Sequence, residues 1–109
     1  MSRESKCERY RKLLKQRYLN NGLDGLVEKE ILELLLTYAI PRQDVRSVSE
    51  SLLNNYGNFK GILDAPIREL VAFPHLDVNS SILLKTAGDF PDFYLRRILS
   101  VDDPKGKRN

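Results

Sequence analysis

The sequence predicts an all-α fold, a small helical bundle formed by a single domain. Apolar residues recur at spacings of three and four through most of the 109 residues, as they do on the buried face of a helix. Proline, glycine and helix-capping residues divide the chain into segments of helical length, and no run shows the strict alternation of a β-strand. We expect residues 1–99 to form the helical domain and residues 100–109 to be a linker or disordered tail.

The first two helices follow from their apolar stripes and their end signals. The first segment has basic residues on most faces and one apolar stripe, which consists of Cys7, Tyr10, Leu14 and Tyr18. It ends at Asn21-Gly22, where glycine can adopt the positive φ of a helix C-cap. The second runs from about Val27 to Ala39 and has so little polar surface that we expect a central, buried helix. Its early glutamates suit the positive end of the helix dipole, and Pro41 ends it.

Caps and prolines delimit the middle of the chain. Asp44 caps a third helix that stops at Gly57, because aspartate accepts from free N–H groups and glycine readily closes a helix. A short helical turn covers residues 59–63. Pro66 then takes the first position of the next helix, where its missing N–H costs nothing.

The last part of the domain is expected to contain two helical pieces. After a turn at residues 74–77, a helix runs from about Val78 to Ala87. Gly88 and Pro91 are expected to break it, since both residues disfavour a helix interior. The final piece is amphipathic, and its apolar face carries Phe93, Tyr94 and Ile98.

The net charge of +3 conceals an uneven distribution of charge. Residues 1–20 carry seven basic and two acidic side chains, whereas residues 21–100 carry eight basic and eleven acidic ones. A basic first helix on a mildly acidic body indicates either a polyanion partner or a solvated helix. A DNA partner would be bound without sequence preference, through its phosphates. The candidate DNA-binding residues are Arg9, Arg11, Lys12, Lys15 and Arg17, extended by Arg42, Arg46 and Lys60.

Composition and missing motifs disfavour several classes of protein. The longest apolar run, residues 31–40, contains Glu33 and is far shorter than the ~20 residues that span a bilayer. The charged N-terminus does not resemble a secretory signal. One cysteine and one histidine exclude an intrachain disulfide and argue against a Cys/His zinc site. Without a Gly-x-Ser-x-Gly elbow or a P-loop, we expect a cytoplasmic protein that is not an enzyme, with no cofactor and no membrane partner.

The chain contains the two stretches ERYRKLLKQRYLNNGLDG and EILELLLTYAIPRQDVRSVSESLLNNYGNFKGILDAP. Together they resemble the N-terminal region of the bacterial RadC family of UPF0758-type proteins. The resemblance runs from about Arg9 to Lys85. Its most specific parts are NGLDG, LELLLTYAIPR and YGNFKGILDA. It implies a DNA-repair-associated helical domain with a helix-hairpin-helix unit at about residues 66–87.

The resemblance also implies a second domain. Full-length members continue into a C-terminal metallopeptidase-like domain, whose zinc is held by a His-x-His pair and a distant Asp. His75 is the only histidine of this chain, so we expect neither a catalytic residue nor a metal ligand here. The chain is then either a fragment of a longer protein or a natural protein without that domain.

The hairpin departs from the family pattern at its glycines. The family form is roughly Leu-x-x-Ile-x-Gly-Ile-Gly, and His75 and Asp77 stand where the glycines would be. Glycine would allow positive φ and let a phosphate reach the amides of the next helix, whereas Asp77 would cap that helix and repel the phosphate. The preferred interpretation is structural, with Leu76 as a core residue and Asp77 as an N-cap. A secondary DNA-binding candidate is the set His75, Leu76, Asp77, Val78 and Asn79.

A second class of function is a helical module that docks another protein or the missing C-terminal domain. Its candidate contacts are aromatic residues near the chain ends, namely Tyr10, Tyr18, Phe90, Phe93 and Tyr94. The same residues could close the core between the first and last helices, and this is the interpretation we prefer. One face shared by the first helix, Arg42, Arg46 and Lys60 would favour DNA, whereas an exposed apolar patch near Phe93 would favour a protein partner.

Overall fold

The computed structural model describes residues 5–100, and this part of the chain is helical without a β-strand. The elements are α1 (Lys6–Asn21), a 3-10 turn (Gly22–Gly25), α2 (Glu28–Ala39), α3 (Val45–Tyr56), α4 (Phe59–Asp64), α5 (Ile67–Ala72) and α6 (Val78–Leu99). The predicted all-α fold is confirmed. The predicted tail lies outside the described residues, except for Ser100.

Helix ends are fixed by the expected residue types. Asp44 accepts a hydrogen bond from the N–H of Arg46 at the start of α3, and Asn58 accepts from Gly61 at the start of α4. Two helices end at a glycine with positive φ, α1 at Gly22 (68°) and α3 at Gly57 (90°). The predicted limits of these helices are therefore confirmed to within a residue or two.

The core is an aliphatic cluster to which every helix contributes. Its fully buried members are Leu14, Leu32, Leu36, Leu52, Ile62, Leu70 and Leu84. Removing such a side chain from water stabilises the fold by about 1.5–3 kcal/mol. Helix α2 packs against α1, α3, α4 and α6, which confirms the prediction that it is the central helix.

The predicted break in the last helix was wrong, because α6 runs without interruption from Val78 to Leu99. Gly88 is a packing residue: a Cβ placed there would stand 2.8 Å from the Cβ of Leu63 and 3.0 Å from its carbonyl oxygen. The glycine therefore lets α6 lie close to the end of α4. Pro91 is exposed, so water can solvate the carbonyl that its missing N–H leaves without a helical partner.

The preferred role for the terminal aromatic residues was wrong except for Tyr10, which packs against the core, whereas Tyr18 is 46% exposed. Phe90, Phe93 and Tyr94 are 53, 42 and 53% exposed, and they do not close the core. Every residue from 89 to 99 is exposed, so the second half of α6 extends from the body of the domain. No helix of the described residues is long and apolar enough to cross a bilayer.

Candidate nucleic-acid interface

The turn between α5 and α6 keeps a strained backbone at the position of the first replaced glycine. His75 has φ of 72°, and it is the one non-glycine residue of the described part with positive φ. The side chain amide of Gln43 donates to the His75 carbonyl at 2.8 Å, which ties the turn to the segment between α2 and α3. Leu76 is 8% exposed and belongs to the core, as predicted. The turn therefore retains its shape at a conformational cost of about 1–2 kcal/mol.

Asp77 occupies the start of α6 with its own carboxylate. The carboxylate accepts from the Ser80 N–H at 2.8 Å and from the Ser80 hydroxyl at 2.9 Å, and that hydroxyl accepts from the Asp77 N–H at 2.9 Å. These bonds, led by the Ser80 N–H, lower the pKa of Asp77 below its ordinary value of 3.8. The predicted N-cap is confirmed, and the N–H groups of Ser80 and Asp77 already have partners. Val78 and Asn79 are exposed in the same first turn.

A second surface is organised by Arg11 of α1. Its guanidinium donates to three backbone carbonyls, those of Thr37 at 2.8 Å, Ile40 at 2.6 Å and Gln43 at 2.6 Å. A cation at this place satisfies carbonyls that the end of α2 leaves without helical partners and complements the negative end of its dipole. Arg11 thereby holds the turn at residues 40–44, which contains the exposed Arg42, against α1.

Arg46, at the start of α3, also reaches α1. Its guanidinium lies 4.4 Å from the ring centre of Tyr10, and its Nε lies 3.7 Å from an Asp44 carboxylate oxygen. On α1 itself, the ammonium of Lys15 lies 5.0 Å from the ring centre of Tyr38 in α2. These aromatic contacts hold the two side chains in place without removing their charge.

The cations of α1 divide between two sides of the helix. At about 100° per residue, four of them occupy a sector of roughly 160°. We call this sector, together with Arg42 in the turn that Arg11 holds, the basic ridge, and its members are Arg9, Arg11, Lys12, Lys15 and Arg42. Three predicted residues are not part of it. Arg17 pairs with Glu30 on the other side of α1, Arg46 lies on Tyr10, which is outside the sector, and Lys60 pairs with Asp64 within α4.

Sequence reasoning missed a buried polar cluster where α1, α2 and α3 meet. Glu33 is fully buried and accepts hydrogen bonds from the Tyr10 hydroxyl, the Ser49 hydroxyl at 3.1 Å and the Lys29 ammonium at 2.5 Å. Burial raises the pKa of Tyr10, and the hydrogen bond to Glu33 adds to the effect. The signal was present, since Glu33 shares the buried helical face of Leu36 and Thr37. The cluster fixes the Tyr10 ring on which Arg46 lies.

The fold and this surface define a small all-α domain with a preorganised cationic ridge and a self-capped turn. Its homologues are UPF0758 proteins, as the RadC-type sequence resemblance suggested. The chain is 36% identical over 99 residues to a UPF0758 protein of Fusobacterium nucleatum subsp. nucleatum, which covers 91% of this chain and 40% of the relative. It thus spans about two fifths of that protein's length.

Two further relatives match shorter parts of the chain. A UPF0758 protein of Ruegeria pomeroyi is 41% identical over 61 residues, which are 56% of this chain and 27% of the relative. One of Rhodobacter capsulatus is 41% identical over 54 residues, or 50% of this chain and 25% of the relative. No protein-family profile matches the chain. No solved structure is significantly similar to it.

Proposed function

We propose that this domain is a weak, non-specific DNA-binding module of a RadC-like, DNA-repair-associated protein. The basic ridge contacts the phosphates, and no residue of the chain has a catalytic role. The observation that carries the proposal is the set of three carbonyl bonds from Arg11, because they bring Arg42 up to the cations of α1. Cations that the fold holds in position lose little side-chain entropy when they meet a phosphate.

In this proposal α5, the turn and α6 form a degenerate helix-hairpin-helix unit that stabilises the domain without holding DNA. The Asp77 carboxylate stands where a phosphate oxygen would bind, and like any exposed aspartate it is charged at neutral pH. A negative charge at that position repels DNA and occupies the N–H group of Ser80. Binding therefore depends on the ridge.

The ridge sets the expected strength and salt dependence of binding. Each phosphate neutralised on duplex DNA contributes about −0.9 to the slope of log K against log salt. Four or five contacts give a slope of roughly −4, and a non-specific dissociation constant of about 10⁻⁴ to 10⁻⁶ M is expected at physiological salt. With no side chain placed to read base edges, the affinity should not vary with sequence.

Fluorescence anisotropy with a labelled duplex over a salt series tests the proposal. The variant Lys12→Glu/Lys15→Glu should abolish binding at low salt, because it places two negative charges in the ridge. The matched control Arg68→Glu/Arg96→Glu makes the same change in net charge at exposed positions outside the ridge, and should bind nearly as wild type does. Equal losses in the two variants would show that only net charge matters. Absence of binding by wild type at ~50 mM salt would refute the proposal.

The alternative function, a helical module that docks a protein, is supported by a different observation. The exposed apolar residues near Phe93 form the kind of patch that marks an interaction surface in a protein of this size. They lie on the extended half of α6, and the DNA proposal leaves them without a role.

A further inference from the structure

An apolar groove opens between α1 and α2 beside the basic ridge. It has a volume of about 360 Å³, and its lining residues are Lys15, Tyr18, Leu19, Leu34, Leu35 and Tyr38. Two of these side chains are highly exposed although they are large and apolar, Leu19 at 75% and Tyr38 at 68%. Lys15 is the charged member of the lining and also belongs to the ridge. The cationic surface and the apolar groove therefore meet at this residue.

The helices place the ridge and the groove on one continuous side of the domain. Leu19 follows Lys15 by four residues, and Lys15 follows Arg11 by four, so the three lie along one side of α1. Across the groove, Tyr38 directly follows Thr37, whose carbonyl accepts a hydrogen bond from Arg11 at 2.8 Å. Tyr38 thus borders both the cations of the ridge and the apolar lining of the groove.

Cations beside an exposed aromatic ring are the combination with which proteins hold single-stranded nucleic acid, because the cations follow the phosphates and the ring stacks on a base. Duplex DNA can use only the cationic half of such a site, since the faces of its bases are stacked on each other inside the helix. A purely apolar ligand could use only the groove. An unpaired nucleotide has both a free base face and a phosphate, so it matches the whole surface.

We propose that the ridge and the groove together bind single-stranded DNA, with phosphates on the ridge and bases in the groove, one of them stacked on Tyr38. Because a cavity of ~150 Å³ holds one benzene molecule, the groove suits about two pyrimidine rings. The ammonium of Lys15 lies 5.0 Å from the ring centre of Tyr38, so it is placed to meet the phosphate of the stacked base. With that ammonium in place Tyr38 is still 68% exposed, which leaves room for a base on the ring.

This inference rests on the proposed DNA-binding function and names the form of DNA that uses the whole site. A base stacked on an aromatic side chain strengthens binding by about fivefold or more, and it does so for every base because each has a π face. The site therefore remains without sequence preference. Each phosphate neutralised on a single strand contributes about −0.7 to the slope of log K against log salt, compared with about −0.9 on a duplex.

Fluorescence anisotropy with three ligands that carry the same label separates base contacts from phosphate contacts. The ligands are an oligothymidylate of about 12 nucleotides, an abasic strand of the same length and a duplex of that length. Wild type should bind the oligothymidylate at least about fivefold more tightly than the abasic strand. Tyr38→Ala should remove this difference and leave the affinities for the abasic strand and the duplex unchanged.

Two further variants show whether the aromatic ring of Tyr38 is the cause. Tyr38→Phe keeps a ring that can stack and should bind all three ligands as wild type does. Tyr94→Ala is the matched control, because it removes an exposed tyrosine on α6, outside the groove, and it should also bind as wild type does. Because Tyr38 is largely exposed, Tyr38→Ala should keep the far-UV circular dichroism of wild type.

The outcomes distinguish this inference from the DNA-binding function on which it rests. If wild type bound the abasic strand as tightly as the oligothymidylate, or if Tyr38→Ala weakened binding of all three ligands equally, the groove would hold no base. The inference would then fail, while DNA binding by the ridge would stand. If wild type bound none of the three ligands at ~50 mM salt, both would fail.

Discussion

Replacing Arg11 by methionine should destabilise the domain by about 3 kcal/mol. The change removes three charge-assisted hydrogen bonds of 2.6–2.8 Å, each of a kind that contributes about 1.5–3 kcal/mol. Their sum would be about 4.5–9 kcal/mol, but Arg11 is only half-buried and water can replace part of what is lost, so we expect a smaller loss than this sum. Because the three carbonyls belong to the end of α2 and the following turn, the loss should also free Arg42 from its place beside α1.

Urea denaturation followed by far-UV circular dichroism measures this loss. In a domain of about 100 residues, 3 kcal/mol corresponds to a fall in Tm of about 12 °C. The matched control is Arg42→Met, which removes the same charge from an exposed position and should change stability by less than about 0.5 kcal/mol. Arg11→Lys keeps the charge but cannot reproduce the planar fork, so it should lie between wild type and Arg11→Met.

The stability of Arg11→Met decides whether the three bonds fix the ridge. A variant within about 0.5 kcal/mol of wild type would show that the turn at residues 40–44 is held by other contacts. Its DNA affinity should then fall only as much as that of Arg42→Met. If the reasoning is correct, Arg11→Met should lose more affinity than Arg42→Met at the same salt concentration.

Three further predictions concern α6 and the turn before it. Gly88→Ala should lower stability by about 1–3 kcal/mol in thermal denaturation, because the added Cβ would stand 2.8 Å from that of Leu63, and this exceeds the gain of about 1 kcal/mol from alanine's helix propensity. His75→Gly should raise stability by about 0.5–1 kcal/mol, since glycine adopts φ of 72° without strain, whereas His75→Ala should bring no gain. The Asp77 cap should contribute stability above pH 3.8 and lose it as pH falls through the lower pKa of the folded state; Asp77→Asn, compared by urea denaturation over this range, should remove that part of the pH dependence.

Each of these predictions has an outcome that contradicts it. A more stable Gly88→Ala would mean that α6 and α4 can separate without cost, and that their packing does not require a glycine at this position. An unchanged or less stable His75→Gly would mean that the turn is not strained at His75. If Asp77→Asn followed the wild-type profile between pH 2 and 5, other carboxylates would account for the acid sensitivity of the domain.

Local signals in the sequence were sufficient for most helices and for the cap of α6. An apolar stripe depends on residues three or four positions apart, and the caps Asp44 and Asp77 bond to residues two or three positions away. Their effects can therefore be predicted without knowledge of the fold. Gly88 could not be assigned in this way, because its partner Leu63 lies 25 positions earlier and only packing brings the two together. A glycine that ends a helix and one that permits a close contact are identical in sequence.

The ridge shows the same limit for charged residues. All of its cations were recognised from the sequence, but nothing local separated Arg11 from its neighbours, since its partners are carbonyls 26 to 32 positions away. The difference between Arg17 and Lys15 also depends on which side of α1 meets a carboxylate. The sequence therefore shows which residues could bind a polyanion, but it does not show which of them stabilise the fold.

The capped turn also makes the domain independent of any anion in solution. The carboxylate of Asp77 is attached to the helix that it caps, so it competes for the Ser80 N–H at an effective concentration of about millimolar or more. A free anion binding weakly at that place would have to exceed this concentration to displace it. Mass action by phosphate would then add little to the free energy of unfolding, whereas a glycine-lined turn would gain stability as ligand accumulates. In this chain the anion that caps α6 is a side chain of the polypeptide, so the turn needs no bound ligand to be capped.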